Sequence, residues 1–530
     1  MSFLTQLYDL RWLLTAVVAS AYAASKYRAY RRLAKFKGPF STGWCEAWHS
    51  YWIMGTRSHL AYKAVNDKYG KIARVGPNDL VTSSTELLAH MNGVRSPYVR
   101  SHWYNRATRV EPGKDHIFSQ LDETKHQKRR AQIAAGYSGK ENLNLESDID
   151  ARVQELIHLL SSKYLSNNAQ SRPFDVGRKI QYFALDVIST IGFGEPFGDL
   201  RADADLNDYI QSSEEAMVVM KACVGLGLTP YLQWPPIARI LGPSETDKSG
   251  FGKMLHTARE IIDTRFTKSL GRSDMLSSFV RHGLSKADVF TEAMLQIIAG
   301  SDTTATALRS TMLYLITHPR VFTRLRAEVD AMVASGAAPA TPEIVSDGCL
   351  KGMCYLQAVV REGLRIHPPL TDVVPKKVPE GGDSIIIDGK TYHLPGGTNI
   401  GYNVWGVHRD TEIFGADAEV FRPERWLIEE KDDESVRRLA EMRRTTEMIF
   451  GYGKFQCLGK PIAWLEITKV IFEVRAYVAS YTKTNASDSS SDTLIGLLPS
   501  LISRGSHETT LVYSSRITCT SPFVTDWPDP

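Results

Sequence analysis

One cysteine lies in a glycine-rich loop directly ahead of a long apolar helical pattern, and this arrangement constrains the fold more than any other feature. The loop, residues 450–459, reads Phe-Gly-Tyr-Gly-Lys-Phe-Gln-Cys-Leu-Gly and contains Cys457. Glycines let a backbone pass close to a flat ligand because no Cβ intrudes. The helix predicted from Pro461 to about Val478 directs its N-terminal amides at the sulfur, and these stabilise a thiolate. The loop therefore indicates a metal-binding cysteine, with a buried structural cysteine as the alternative.

Length, charge and cysteine content define the broad class of protein. A chain of 530 residues can form two or more lobes and a core large enough to enclose a cofactor. A formal net charge of +4 gives no indication of nucleic-acid binding, so no nucleic-acid partner is expected. The six cysteines are scattered, which indicates a reducing compartment rather than a disulfide framework.

Hydrophobic periodicity predicts a mainly α protein with a minor β region. Helical patterns dominate from about His116 to Phe290, and one very long pattern runs from Lys286 to His318. Short alternating runs at Ile72–Val75 and Leu80–Thr82 predict strands. An Asp-Gly pair inside Ser384–Pro395 predicts a hairpin.

The N-terminus carries an apolar run, Trp12 to Ala24, followed by a basic stretch and a Gly38-Pro39 break. We expect this run to be a spanning anchor. Because it is shorter than the about 20 apolar residues that a membrane span takes, an interfacial helix is the alternative. Basic residues after an apolar segment stay on the cytosolic side. We predict a membrane anchor with a basic linker over 1–37, a catalytic domain over 38–515 and a tail over 516–530.

A second chemical constellation lies in the middle of the long helical pattern and reads Ala-Gly-Ser-Asp-Thr from position 299 to 303. The small pair Ala299 and Gly300 lets a ligand approach the backbone, although a helical glycine costs about 1 kcal/mol relative to alanine. Asp302 beside Thr303 can bend the helical hydrogen bonding and relay protons in a dry pocket. The alternative is a helix N-cap, but apolar periodicity continues on both sides.

Three further motifs place charges on predicted helices and loops. Glu362 and Arg365 share a helix face three residues apart, a spacing that on a surface contributes little. Arg425 lies in Phe-Arg-Pro-Glu-Arg-Trp at 421–426. His126 and Arg130 lie one helical turn apart in a basic segment, for which a solvated helix face is the plain alternative.

Taken together and in this order, the motifs resemble those of the cytochrome P450 family, in the version typical of microsomal members of filamentous-fungal secondary metabolism. The resemblance implies the P450 fold, a helix-rich haem domain with a small β lobe. It implies haem b as cofactor, with Cys457 as the axial ligand of the iron. It assigns proton delivery to Asp302 and Thr303. It assigns cofactor binding to Arg130, His126, Lys376, Phe450, Gly453, Gly459, Ala299 and Gly300, and a buried triad to Glu362, Arg365 and Arg425.

The cysteine loop departs from the family pattern at one position. Two residues before the cysteine, family members usually carry an Arg or His that binds a haem propionate, whereas this chain has Phe455. We expect Lys454 or Lys460 to substitute for it. Lys376 falls where the family usually has an Arg, and a lysine offers a point charge without bidentate geometry.

The resemblance implies a haem-thiolate monooxygenase that inserts one oxygen atom of O₂ into a lipophilic small molecule by hydroxylation or epoxidation. NADPH would supply electrons through a P450 reductase, with cytochrome b5 as a second partner, and Lys454 and Lys460 are candidates for the docking face. The expected location is the endoplasmic reticulum membrane, with the catalytic domain in the cytosol. The segments expected to select a terpenoid, polyketide or polyketide–peptide substrate are Val94–His116, Val218–Pro236, Met294, Ile298, Ala299, Pro368–Val374 and Leu497–Ser503.

Two other functions stay open. A P450-fold isomerase or dehydratase needs no external electrons, and the intact pair of Asp302 and Thr303 argues against it. A membrane-anchored haem sensor without turnover would have no use for that pair. Arg100 and Arg106 are expected on the solvated surface, with recognition of a polar substrate group as the alternative.

Overall fold

The computed structural model describes residues 3–165, 170, 172–267, 273–339, 343–427 and 432–484. The predicted tail and the predicted substrate segment Leu497–Ser503 lie outside these residues. The first half of the described chain is mostly helical. Its helices are α1 (Phe3–Arg32), α2 (Ala47–Met54), α3 (Ser58–Tyr69), α4 (Thr85–Asn92), α5 (His102–Ala107), α6 (Glu123–Ile133), α7 (Leu145–Lys163), α8 (Val176–Phe193), α9 (Asp199–Ala202), α10 (Tyr209–Gly225), α11 (Thr229–Leu232) and α12 (Pro235–Leu241).

The second half carries the longest helix of the catalytic part and the helix after the cysteine loop. Its helices are α13 (Gly250–Thr267), α14 (Met275–Arg281), α15 (Lys286–Thr317), α16 (Pro319–Ala334), α17 (Asp347–Gly352), α18 (Cys354–Ile366), α19 (Val404–Val407), α20 (Thr411–Phe414), α21 (Asp433–Glu447) and α22 (Lys460–Thr484). The long helix predicted from Lys286 is confirmed as α15. Ser285 caps it by accepting a hydrogen bond from the Asp288 amide.

The core forms around α15, which packs against α8, α13, α18 and α22. Helix α8 is buried along nearly its whole length because apolar residues occupy all sides of it. Helix α18 buries one face against α15 and ends where His367 precedes two prolines. These central helices bring the cysteine loop and the Ala-Gly-Ser-Asp-Thr segment into one packed core.

Within the described residues, the minor β region comprises seven short strands in two sheets. They are β1 (Ile72–Arg74), β2 (Asp79–Thr82), β3 (Val99–Arg100), β4 (Lys376–Lys377), β5 (Asp383–Ile387), β6 (Lys390–Leu394) and β7 (Asn399–Tyr402). The larger sheet has the order β1-β2-β7-β4-β3. The predicted hairpin is confirmed as β5–β6, with Asp388 and Gly389 at positive φ in its turn. The helix-rich fold with small sheets that the sequence predicts is therefore observed.

Helix α1 is fastened to the catalytic part at its C-terminal end. Arg74 of β1 donates hydrogen bonds to the carbonyls of Ala29 and Tyr30, and the Tyr30 ring stacks on Trp44 at 4.4 Å. Among the described residues, no helix is both long and apolar enough to cross a bilayer. The spanning anchor predicted at Trp12–Ala24 is not supported, because charged residues bound its apolar run on both sides.

Candidate active site

The cysteine loop is a pair of tight turns that presents Cys457 ahead of α22. The Cys457 amide donates to the Phe450 carbonyl over 2.7 Å, which closes the loop. Gly453 has φ +57°, and a Cβ there would lie 2.1 Å from the Asn92 carbonyl oxygen. This glycine is therefore required by the close approach of α4. A Cβ at Gly459 would lie 3.7 Å from the Cys457 sulfur, an ordinary contact.

The electrostatic surroundings of Cys457 suit a metal-bound sulfur. The backbone amides of Gly459 and Lys460 donate to it, and Arg130 lies close enough to favour the thiolate. Burial outweighs these groups and raises the pKa of the Cys457 thiol. A thiol in such a place deprotonates when it coordinates a metal cation. The described cysteines are all free, so Cys457 is available as a ligand.

The structure brings Glu362, Arg365 and Arg425 together in a fully buried cluster. Arg365 donates to both carboxylate oxygens of Glu362, to Oε1 at 2.7 Å and to Oε2 at 2.9 Å, and Arg425 donates to the first of these, Oε1, at 3.0 Å. The Trp426 indole donates to the second oxygen at 2.9 Å. The remaining guanidinium N–H groups bind carbonyls of the segment before the loop, such as those of His408 and Ala418 from Arg365. The cluster ties α18 to the chain that leads into the cysteine loop.

The helices packed around the central stretch of α15 leave one narrow strip of its surface uncovered. Ala299 and Thr303 are exposed one turn apart, and the Thr303 hydroxyl donates to the Ala299 carbonyl over 2.7 Å. Gly300 lies elsewhere: a Cβ there would come within 2.8 Å of Ile188 of α8. This glycine therefore permits close packing of α8, and its contact with a ligand stays a prediction. Met294 is buried in the core.

Asp302 points towards α8 and away from Thr303. Its carboxylate accepts a hydrogen bond from the Gln181 amide over 2.8 Å, and the Gln181 oxygen accepts one from Arg309. Burial raises the pKa of Asp302, while Gln181 and Arg309 act in the opposite direction. Sequence reasoning missed Gln181 and Arg309, although two polar residues inside strongly apolar helices were a visible signal.

Comparison with known proteins identifies the family. The cytochrome P450 family model matches residues 39–476. The chain belongs to the cytochrome P450 family. It is 39% identical over 467 residues to cytochrome P450 monooxygenase ABA1 of Pyricularia oryzae, which covers 86% of this chain and 89% of that protein. It is 36% identical over 428 residues to cytochrome P450 monooxygenase aba1 of Botryotinia fuckeliana, covering 80% of each chain.

The P450 has a cluster of buried cations beside the cysteine loop. Arg100 of β3 pairs directly with Lys376 of β4, and both side chains are buried. The two cations lie over the Phe455 ring, at 4.7 Å for the Arg100 guanidinium carbon and 3.3 Å for the Lys376 nitrogen. The surface position expected for Arg100 is therefore wrong. The two-residue pairing that buries it leaves almost no signal in the sequence.

The residues present fit the haem that P450s bind. The contacts of the Lys376 nitrogen within the described part of the chain are with the Tyr104 and Phe455 rings. The His126 ring lies 3.6 Å from a Glu123 oxygen through Nδ1, and neither of its nitrogens makes a hydrogen bond there. Buried cations and donors without partners are costly unless an anionic ligand satisfies them. Arg130 donates to the Gln456 carbonyl over 2.7 Å and so borders the same loop. This P450 thus combines a thiol for the iron with donors for the carboxylates of the porphyrin edge.

The two lysines expected to replace the missing cation at Phe455 are already engaged. Lys454 lies 3.3 Å from a Glu123 carboxylate oxygen and donates to the Ser96 carbonyl at 3.0 Å. Lys460 forms an ion pair with Glu447. Each of these lysines therefore already has an anionic partner, and its substitution for the missing cation stays a prediction. The cations that lie at the Phe455 ring itself are Lys376 and Arg100.

Proposed function

We propose that this P450 is a haem-thiolate monooxygenase that inserts one oxygen atom of O₂ into a lipophilic small molecule of fungal secondary metabolism. The observation that carries the proposal is that Cys457, approached by the amides of Gly459 and Lys460, lies in the same loop as Phe455, over which the buried cations Arg100 and Lys376 lie. The acid near these cations, Glu123, is already paired with Lys454. The fungal relatives named as cytochrome P450 monooxygenases support the same activity. Haem bound through Cys457 supplies the iron at which O₂ is activated and its O–O bond cleaved.

The protein's own residues hold and move the protons for this chemistry. Because burial raises the pKa of Asp302, its carboxyl keeps a proton to a higher pH than a solvated aspartate does. The Thr303 hydroxyl already bonds the Ala299 carbonyl and loosens the helical ladder there. Rotation of the Asp302 carboxyl from Gln181 towards Thr303 would carry a proton to the exposed face of α15. Gln181 therefore sets the resting position of the acid.

A reductase that carries electrons from NADPH would dock beside the cysteine loop. Two elements border this loop: α6, through Arg130, and the end of α21, through the ion pair of Glu447 with Lys460. Both carry exposed basic side chains that suit an acidic partner. These are Lys125 and Lys128 on α6, and Arg437, Arg438, Arg443 and Arg444 on α21. Cytochrome b5 would use the same face.

The location that fits this function is the cytosolic side of the endoplasmic reticulum membrane. Large apolar side chains are exposed on α2 and on α10–α12, and α10 packs against α2. They include Tyr51, Val219, Leu226, Tyr231, Trp234 and Ile240. An exposed apolar surface of this kind, close to the basic end of α1, suits the headgroup region of a bilayer.

Labelled oxygen tests the proposal. The full chain, reconstituted with a P450 reductase and NADPH, is incubated under ¹⁸O₂ with terpenoid and polyketide substrates that shift its Soret band. The expected result is a product with one ¹⁸O atom and consumption of NADPH. A product that forms without NADPH and without label would contradict the proposal and indicate an isomerase or dehydratase. A shift of the Soret band without any product would indicate a sensor.

A further inference from the structure

We propose that Phe455 is a positioning residue for the cofactor. Its ring holds Lys376 and Arg100 by cation–π contact, so that both cations face the carboxylates of the porphyrin edge. The inference rests on the proposed haem binding. It differs from the charge contact that the family makes at this position, because an aromatic face here orders two cations from another element.

The contact distances are those of strong cation–π pairs. The Lys376 nitrogen lies 3.3 Å from the centroid of the Phe455 ring and the Arg100 guanidinium carbon lies 4.7 Å from it. Both are within the distance of about 6 Å at which such pairs attract. The attraction is greatest where water is excluded, and both cations are buried. The Tyr104 ring supports the same cations at 4.9 and 5.2 Å.

The strand pairing explains why the two cations need such support. The register of β3 and β4 places Arg100 directly opposite Lys376, and like charges in this position repel each other. Arg100 donates hydrogen bonds to the carbonyls of Ile117 and Gln120, whereas the contacts of the Lys376 nitrogen with the described residues are with the Tyr104 and Phe455 rings. The Phe455 ring therefore supplies the contact that fixes the flexible lysine side chain.

Lys454 serves as an internal comparison. Its nitrogen lies 5.0 Å from the same ring, but Glu123 and the Ser96 carbonyl already hold it. Loss of the ring should therefore release Lys376 and leave Lys454 in place. A positive side chain at position 455 would add a third unpaired cation to Arg100 and Lys376. The usual charged residue of the family is thus unfavourable in this chain.

The experiment measures how fast haem leaves the purified full-length holoprotein, by transfer to excess apomyoglobin. Phe455→Leu removes the aromatic face, and we expect release about tenfold faster, in line with the loss of buried cation–π contacts. Phe455→Tyr keeps the face and should release haem within about twofold of the wild type. Phe455→Arg should also release haem faster, because it repels Lys376 and Arg100.

A double-mutant cycle separates positioning from general packing. Lys376→Met removes the cation that the ring holds, so Phe455→Leu should accelerate release much less in that background than in the wild type. Equal acceleration in both backgrounds would overturn the proposal, as would slower release from Phe455→Arg. If Phe455→Leu does not yield holoprotein, Phe455→Met takes its place in the cycle.

The spectrum of the wild type distinguishes the two possible failures. A thiolate-type carbonyl spectrum from the reduced wild type, together with unchanged release from Phe455→Leu, would refute the role of Phe455 alone. The absence of that spectrum from the wild type would refute the proposed haem binding itself.

Discussion

Two buried charge clusters of this P450 differ in how their charges are balanced. In the first, Glu362 receives hydrogen bonds from Arg365, Arg425 and Trp426, so each charge is compensated inside the protein. In the second, Arg100 and Lys376 lie side by side with aromatic rings and no carboxylate contact among the described residues. A compensated cluster stabilises the fold around the cysteine loop. An uncompensated cluster lowers the stability of the protein until an anionic ligand binds to it.

The largest effect should come from breaking the compensated cluster. Glu362→Ala leaves the buried Arg365 guanidinium without its carboxylate and Arg425 with only the part-exposed Asp417, which should lower the free energy of unfolding by about 3–5 kcal/mol. Chemical denaturation of the purified protein measures it. Asp67→Ala, which breaks the exposed ion pair with Lys63, is the control and should change it by less than about 1 kcal/mol. Similar losses from both variants would contradict the comparison.

Glu292 of α15 is only partly compensated, so its charge balance is intermediate between those of the two clusters. It pairs with Arg129 at 2.8 Å, but its second oxygen has no partner among the described residues. Burial raises the pKa of Glu292 from 4.5 to about 7. The contribution of the protonated Glu292 carboxyl to the free energy of unfolding is therefore complete below pH 4.5. It is lost as the pH rises through about 7.

Glu292→Gln should remove this pH dependence. The free energy of unfolding should then decline less between pH 4.5 and 7, by on the order of 2 kcal/mol. Denaturation curves across that range give the measurement, with Glu434→Gln, an exposed residue of α21, as the matched control. An unchanged slope in Glu292→Gln would show that the carboxyl is ionised throughout.

Removing a cation from the uncompensated cluster should raise the free energy of unfolding of the apoprotein. Lys376→Met deletes a buried charge that forms no ion pair among the described residues, so the apoprotein should become more stable by about 1 kcal/mol while haem is held less firmly. Burial lowers the pKa of Lys376 well below its usual value, and stability is lost as the pH falls below the unfolded pKa of 10.5. The gain should therefore be larger near neutral pH than at pH 10. An apoprotein destabilised by this substitution would show that Lys376 has a structural role.

The smallest effect is expected at Lys460. Its ion pair with Glu447 is partly exposed, so Lys460→Ala should change stability by less than about 1 kcal/mol. Haem transfer to apomyoglobin should proceed at the wild-type rate, because Lys376 and Arg100 lie at the Phe455 ring instead. Markedly faster haem loss from Lys460→Ala would restore this lysine as a haem anchor.

The difference between the two clusters also explains what the sequence could predict. Glu362, Arg365 and Arg425 lie in contiguous motifs, and the cysteine loop is fixed by local glycines, so both were visible in the chain. Arg100 was misjudged because a pairing of two residues joins segments far apart in sequence. The same holds for Gln181, which reaches Asp302 only through the packing of α8 on α15. The packing of Gly300 against Ile188 of α8 was not foreseen either, because a helix pattern does not show which side a glycine faces.

The carbonyl difference spectrum of the reduced, full-length protein tests the central claim most directly. We expect a thiolate-type haem band in the wild type, because the proposed ligand of the iron is Cys457. We expect Cys457→Ser to lose this band while Cys354→Ser, at an exposed cysteine of α18, keeps it. A wild type without the band, or a Cys457→Ser variant that retains it, would contradict the account.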